Sequence, residues 1–255
     1  MRVEDHLGRQ VDIPVPPKRV VSICPAITET LFSLGLEQEI VGRTRYCIYP
    51  QNLVEQVTIV GGTKEVDYDV IASLQPDLII AEKEENTIEI IEELEAHFPV
   101  FVFQIESIAE AYRMILDAGK ITGRQEESKK LVEEITGSFQ PLPQNHGRAA
   151  YAMWRKPYMV VGATTYISDV LQTLGFANPY TTYEGRYPVV DIAALQKEQL
   201  DVLFLSSEPF PFSQKHKDEL AAYLPNTSIR LIDGEMFWYG ARMKEAGHYF
   251  KQYFT

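Results

Sequence analysis

Both tryptophans of the chain, Trp154 and Trp238, stand where a predicted strand gives way to a loop, and each has an arginine close by in sequence, Arg155 and Arg242. A third segment of this kind, SSEPFPF at 206–212, adds Glu208 between serines and aromatic rings. Ligands of open α/β sheets bind at the carboxyl ends of the strands. Rings with a few charges among them suit a large, partly apolar ligand, and a guanidinium fork suits its carboxylates or phosphate. The first half of the chain has three segments of the same kind: RYCIYP at 45–50 with Tyr46, GGTKEVD at 61–67 with Thr63 and Lys64, and AEKEEN at 81–86 with Glu82. The competing reading is that the tryptophans only fill the core. The grouping of Trp154 and Trp238 with Arg155, Glu208 and Arg242 favours a site.

Other chemistries lack their residues. His6, His97, His146, His216 and His248 show neither HxxxH nor HxH spacing, so no metal site is expected. Cys24 and Cys47 make no CxxC and no disulfide framework, and each reads as a buried thiol. There is no GxSxG elbow, no GxGxxG and no GxxxxGK[ST]. The carboxylate runs EKEEN and IEELE read as solvated helix faces. No catalytic residue is assigned, and the chain is not expected to be an enzyme.

The elements that would hold the site follow from the pattern of the 255 residues, 45% apolar and 24% charged, enough for two lobes. Acids outnumber bases 36 to 24, giving a net charge of −12. That balance argues against nucleic acid as a partner, and it fits a cation-bearing ligand, a basic docking partner or simple solubility. No run approaches the ~18 apolar residues of a membrane span. MRVEDHLGRQ is polar and is not a signal peptide, so the expectation is a cytoplasmic protein or one whose leader was removed.

A short hairpin is predicted over 2–13, then strands at 20–23, 40–42, 59–60, 77–81 and 100–103 alternating with helices at 28–34, 67–74 and 87–96. Thr28 or the residue before it is the expected cap of the first helix, and Asp67 of the second. Over 107–139 the apolar spacing is helical throughout, split near Gly123, and QPLPQNHG then breaks the chain. Alternation resumes with AAYAMW, YMVVGA, a helix at 165–174 ended by Gly175, a helix at 191–196, DVLFLS, a helix at 215–223, IRLID and a last helix at 241–253. IASLQPDLII at 71–80 is weakly echoed by IAALQKEQLDVLF at 192–204. The pattern predicts α/β architecture with parallel sheets, as two similar lobes joined by helices.

The ordered set LGRQVDIPVPPKRVVSICPAITETLFSLGL, VGRTRYCIYP, VGGTKEVDYDVIASLQPDLIIA, VGATTYISDVLQTLGFANPY and LDVLFLSSEP resembles the helical-backbone (class III) substrate-binding proteins of ABC importers, the receptors for vitamin B12, iron–siderophore complexes and haem. The resemblance spans residues 5 to 250. It implies two Rossmann-like lobes on a rigid helical backbone: a lobe at 1–106, a helical linker at 107–145, a lobe at 146–255, and a ligand cleft between the lobes. The implied ligand is a metal chelate, cobalamin or a ferric siderophore. The implied partner is a transporter permease, and the protein would work as a monomer outside the cytoplasm. Tyr46 falls where the B12 receptors have a contacting tyrosine, and Thr63 and Glu82 where they have tryptophans. Asp69 matches the surface acid that docks the first lobe on the permease, and Asp191 is the nearest acid in the second. A leaderless intracellular carrier or sensor of corrinoids or chelates is the alternative, and a chelatase-like enzyme on a similar scaffold is a third reading.

Overall fold

The computed structural model describes residues 1–139 and 146–254. Residues 140–145, which include the start of the predicted QPLPQNHG break and the end of the predicted linker, lie outside the described residues. The chain divides into two compact units. The first comprises Met1–Ile105, Ala109–Thr136 and Tyr239–Arg242, and the second comprises Glu106–Ile108, Gly137–Trp238 and Met243–Thr255.

The first unit begins with an antiparallel hairpin, β1 (Arg2–Glu4) and β2 (Gln10–Asp12). It continues through β3 (Val20–Ser22), α1 (Pro25–Ser33), β4 (Ile40–Arg43), α2 (Gln51–Val54), β5 (Thr58–Ile59), α3 (Tyr68–Leu74), β6 (Leu78–Glu82), α4 (Ile88–Glu95) and β7 (Val100–Phe103). Two helices follow, α5 (Ile108–Thr122) and α6 (Gln125–Ser138). The strands form a parallel five-stranded sheet in the order β5-β4-β3-β6-β7. All residues of β3, β6 and β7 are buried, as strands covered on both faces must be, which is why these segments are apolar runs rather than alternations. On one face Val21, Ile79 and Ala81 pack with Ile71 of α3 and Ile90, Ile91 and Leu94 of α4. The glutamates of α4 take the opposite side of the helix.

The first helix begins earlier than its apolar run suggests. Pro25 occupies its first turn, where a missing N–H costs nothing, and extended Cys24 is the N-cap. Thr28 is therefore not the cap. It lies inside the helix, with Oγ1 2.9 Å from the Cys24 carbonyl and 2.8 Å from Ser22 Oγ. Asp67 does cap α3, its carboxylate accepting from Val70 N–H at 3.0 Å.

The second unit holds β8 (Gly147–Trp154), β9 (Tyr158–Val160), α7 (Tyr166–Thr173), β10 (Phe176–Ala177), β11 (Val189–Val190), α8 (Ile192–Lys197), β12 (Val202–Ser206), α9 (Gln214–Ala221), β13 (Ser228–Ile232) and α10 (Met243–Phe254). Its sheet runs β11-β9-β8-β12-β13, with β10 also paired to β8. The β8, β12, β13 and β10 pairings are parallel, whereas β9 and β11 are antiparallel. The sheet is thus parallel at its centre and mixed at one edge. Only residues 155–157 separate β8 from β9, too few for a crossover connection, so the chain can only turn back.

The echo between 71–80 and 192–204 is structural. Strands β6 and β12 each lie second from a sheet edge, between β3 and β7 and between β8 and β13. Asp77, just before β6, donates its N–H to Arg19 O at 3.0 Å and accepts Arg19 N–H on Oδ1 at 2.9 Å. Asp201, just before β12, does the same with Arg148, at 2.9 Å to the carbonyl and 2.7 Å from the N–H. At the far ends, Glu82 accepts the N–H of Glu84 and Ser206 Oγ accepts the N–H of Glu208, each closing the turn that follows its strand.

Candidate functional site

In the first unit the carboxyl ends of β3, β5 and β6 carry Cys24, Thr63 and Glu82, all buried. Glu82 ends a strand whose other residues are aliphatic, and its side chain is drawn back by the turn after it. Oε2 accepts the N–H of Glu84 at 2.7 Å and of Glu85 at 2.9 Å. Burial raises its pKa to about 7 despite those two donors, and the charges of Glu84 and Glu85 push the same way. Glu85 is raised as well, chiefly by burial, with Lys64 opposing the shift. The Cys24 thiol lies 3.3 Å from the Tyr239 hydroxyl. Burial drives both groups well above their ordinary values, and Glu82 and Glu85 reinforce it, so thiol and phenol are neutral at neutral pH. This corner thus offers uncharged donors and an acid that exchanges its proton near neutrality.

Around it, Lys64 Nζ donates to the Glu84 carbonyl and ties the loop after β5 to the loop after β6. Tyr46 is exposed, at 54%, with its ring edge against Gly62. Arg242 belongs to this unit. Its Nη2 lies 2.8 Å from Glu29 Oε1 and its Nε donates to Glu29 Oε2 at 3.2 Å, while its guanidinium carbon stands 3.8 Å from the centroid of the Tyr49 ring. Ala241 N–H donates to Thr30 Oγ1 at 3.0 Å. Gly240, at φ +81°, permits this approach, since a Cβ there would fall 2.1 Å from that oxygen.

In the second unit Glu208 and Trp238 meet, the indole N–H donating to Glu208 Oε1 at 3.2 Å. Beneath them Tyr151 hydroxyl and Ser206 Oγ are 2.7 Å apart, and Ser206 donates to the Glu208 carbonyl at 2.5 Å. Trp154 is 41% exposed and packs edge-to-face on Phe210 with centroids 6.0 Å apart. Trp238 is half-buried. Arg155 reaches back to Glu219 of α9, with Nη2 2.8 Å from each carboxylate oxygen.

The residues grouped from the sequence thus have partners within the protein. Glu208 and Trp238 are in contact, and Trp154 has its own partner, Phe210. The two arginines expected to face a ligand each meet a carboxylate of the protein itself, Glu219 for Arg155 and Glu29 for Arg242. Asp69 is exposed in the first turn of α3 and lines a cavity of about 720 Å³ with Arg45, Ile59, Asp67 and Tyr68. Asp191 is exposed and caps α8 through Ala194 N–H at 2.8 Å. Tyr239 and Asn86 are not singled out by the sequence, and Cys24 is read there only as a buried thiol. Pro25 directly after Cys24 is the one local signal that could have marked Cys24 as an N-cap. Among the described residues no group of three or more His, Cys, Asp or Glu is arranged to hold a metal, and no helix is long and apolar enough to cross a membrane.

The profile of a family described as periplasmic binding protein matches residues 20–223. A vitamin B12-binding protein of Vibrio cholerae is 25% identical over 199 residues, covering 76% of this chain and 72% of the relative. An ABC transporter substrate-binding lipoprotein of Bacillus subtilis is 28% identical over 209 residues, covering 76% of this chain and 65% of the relative. In fold, the periplasmic catecholate-siderophore binding protein of Vibrio cholerae superposes with a TM-score of 0.80 over 99% of both chains at 18% identity.

Proposed function

The chain belongs to the periplasmic binding protein family, and from that premise we propose that it captures a metal chelate, cobalamin or a ferric siderophore, and delivers it to the permease of an ABC importer. The observation that carries this reading is the family match over residues 20–223, which takes in strand ends of both units. Three features support a bulky chelate. The strand-end residues Thr63 and Glu82 are small or drawn back into the fold, and neither sets a bulky ring at its strand end. Tyr46 and Trp154 present exposed rings. Glu82 and Lys64 supply polar groups of both kinds in the first unit. Ligand contacts are assigned to Tyr46, Thr63, Lys64, Glu82, Trp154, Glu208 and Trp238, with Arg155 and Arg242 acting through the carboxylates they hold.

The permease docks on the face that bears Asp69, and the protein works as a monomer; a place outside the cytoplasm is in keeping with the name of the lipoprotein relative. A net charge of −12 disfavours nucleic acid as a further partner. The test is the visible spectrum of the protein purified from its native host, followed by calorimetric titration with cyanocobalamin and with a ferric catecholate. Saturable binding of either supports the reading. A colourless protein that binds neither overturns it.

A further inference from the structure

Asn86 stands just before Thr87, the N-cap of α4, and its side chain is buried at 4% exposure. Both protons and the oxygen of its amide are engaged. Oδ1 accepts the N–H of Glu82 at 2.9 Å, and Nδ2 donates to Ile23 O at 3.1 Å and to Thr63 O at 3.0 Å. Its own N–H donates to the Glu82 carbonyl at 2.9 Å. The orientation is unambiguous, because a flipped amide would set its NH2 against an N–H and its oxygen against two carbonyls.

The three partners lie on three separate stretches of chain: the residue after β3, the loop after β5, and the last residue of β6. Those stretches carry Cys24, Thr63 with Lys64, and the Glu82 carboxyl. No other side chain of this length gives two donors and one acceptor in a plane. An aspartate would turn an acceptor toward two carbonyl oxygens, and a glutamine would overshoot by a methylene. Asn86 is itself fixed at the start of a capped helix, so the three stretches are referred to one rigid point.

We propose that Asn86 is the positioning residue of the ligand-contacting surface of the first unit, locking the ends of β3, β5 and β6 into one face without itself touching the ligand. The proposal rests on the chelate-binding reading above, and its test separates the two. In the 15N-labelled parent protein the two side-chain amide protons of Asn86 exchange slowly, as doubly bonded buried amides do. In Asn86→Asp the backbone amides of 62–65 exchange about tenfold faster or more, the loss expected for a buried hydrogen bond. Amides of β7 and α5 keep their parent rates. In Asn86→Ala, which adds no charge, the Glu82 carboxyl, read by its 13C shift, titrates lower than in the parent, because the loosened turn admits water. Cyanocobalamin or the ferric catecholate, whichever the parent binds, binds at least about tenfold more weakly to Asn86→Asp.

Fast exchange of the Asn86 amide protons in the parent overturns the assignment, and that measurement needs no variant to fold. So does acceleration spread evenly over the unit, or a loosened 62–65 loop with unchanged affinity. If the parent binds neither probe, the chelate reading fails, while the exchange and titration results still decide whether Asn86 is the lock.

Discussion

The guanidinium of Arg242 lies over the ring of Tyr49, its carbon 3.8 Å from the centroid, while its Nε donates to Glu29 and its Nη2 stands at ion-pair distance from the same carboxylate. Arg242 is 5% exposed, so its charge is held by these groups more than by water. Removing one member of a buried pair leaves the other charge behind, at about 3–5 kcal/mol, whereas replacing both with apolar residues is often neutral. Arg242→Met alone should therefore lower the urea midpoint sharply, and Arg242→Met with Glu29→Leu should recover most of the loss. Equal losses in the two variants would show that the ion pair is not what fixes this segment.

Glu82 makes stability depend on pH. Its native pKa of about 7 stands above the ordinary 4.5, so the unfolded chain releases its proton first. Between those values the native state holds the extra proton, and stability falls as pH rises, levelling off above about 7. The span corresponds to about 3 kcal/mol. Glu82→Gln keeps an acceptor for the N–H groups of Glu84 and Glu85 and removes the titration. The variant should match the parent near pH 4 and exceed it at pH 8, with a shallower slope between; Glu85, shifted the same way, keeps part of the slope. Denaturant unfolding at several pH values measures this, and a parent-like slope in the variant would sink the assignment.

Trp154 and Trp238 separate ligand contact from core filling. At 41% exposure Trp154 has little burial to lose, and Trp238 is half-buried. Each alanine variant should keep a thermal midpoint near the parent's and lose about 1–3 kcal/mol of affinity for the chelate. Large drops in melting temperature with normal binding would assign the rings to the core.

Asp69 is exposed and distant in sequence from every assigned ligand contact except the loop at 61–67. Asp69→Arg should abolish chelate uptake by cells while leaving solution affinity intact. The variant should cost only about 0.3–1 kcal/mol of stability, through loss of an acid in the first turn of α3. Normal uptake by this variant would point to a protein that does not dock on a permease.

Much of this was legible in the sequence because its signals are local. Asp67 caps the helix it precedes, the break near Gly123 separates α5 from α6, and the apolar runs at 78–81 and 100–103 are buried strands. The echo between 71–80 and 192–204 marked two strands in equivalent sheet positions. The start of α1 was misplaced because the apolar run begins at Thr28 whereas the helical backbone begins at Pro25, and only the backbone decides a cap. The antiparallel edge of the second sheet follows from the shortness of 155–157, which the alternating pattern of strands and helices masks. Asn86 was hidden in a polar loop, because what distinguishes it is a set of partners 4, 23 and 63 residues away. Likewise nothing local ties Cys24 to Tyr239, 215 residues apart.

The four residues Tyr239–Arg242, which complete the first unit, also bear on how the chain is made. Ala241 closes on Thr30 across 211 positions, so the first unit cannot finish folding when its own strands and helices have been synthesised. At about 5–20 residues per second, the ribosome adds the intervening second unit over roughly ten seconds. Throughout that interval the N-terminal end of α1 waits without its partner. Nascent chains arrested before residue 239 should hold this unit in an incompletely closed, protease-sensitive form, and those arrested well beyond residue 242 should protect it, which makes the tetrapeptide a timing element of biosynthesis.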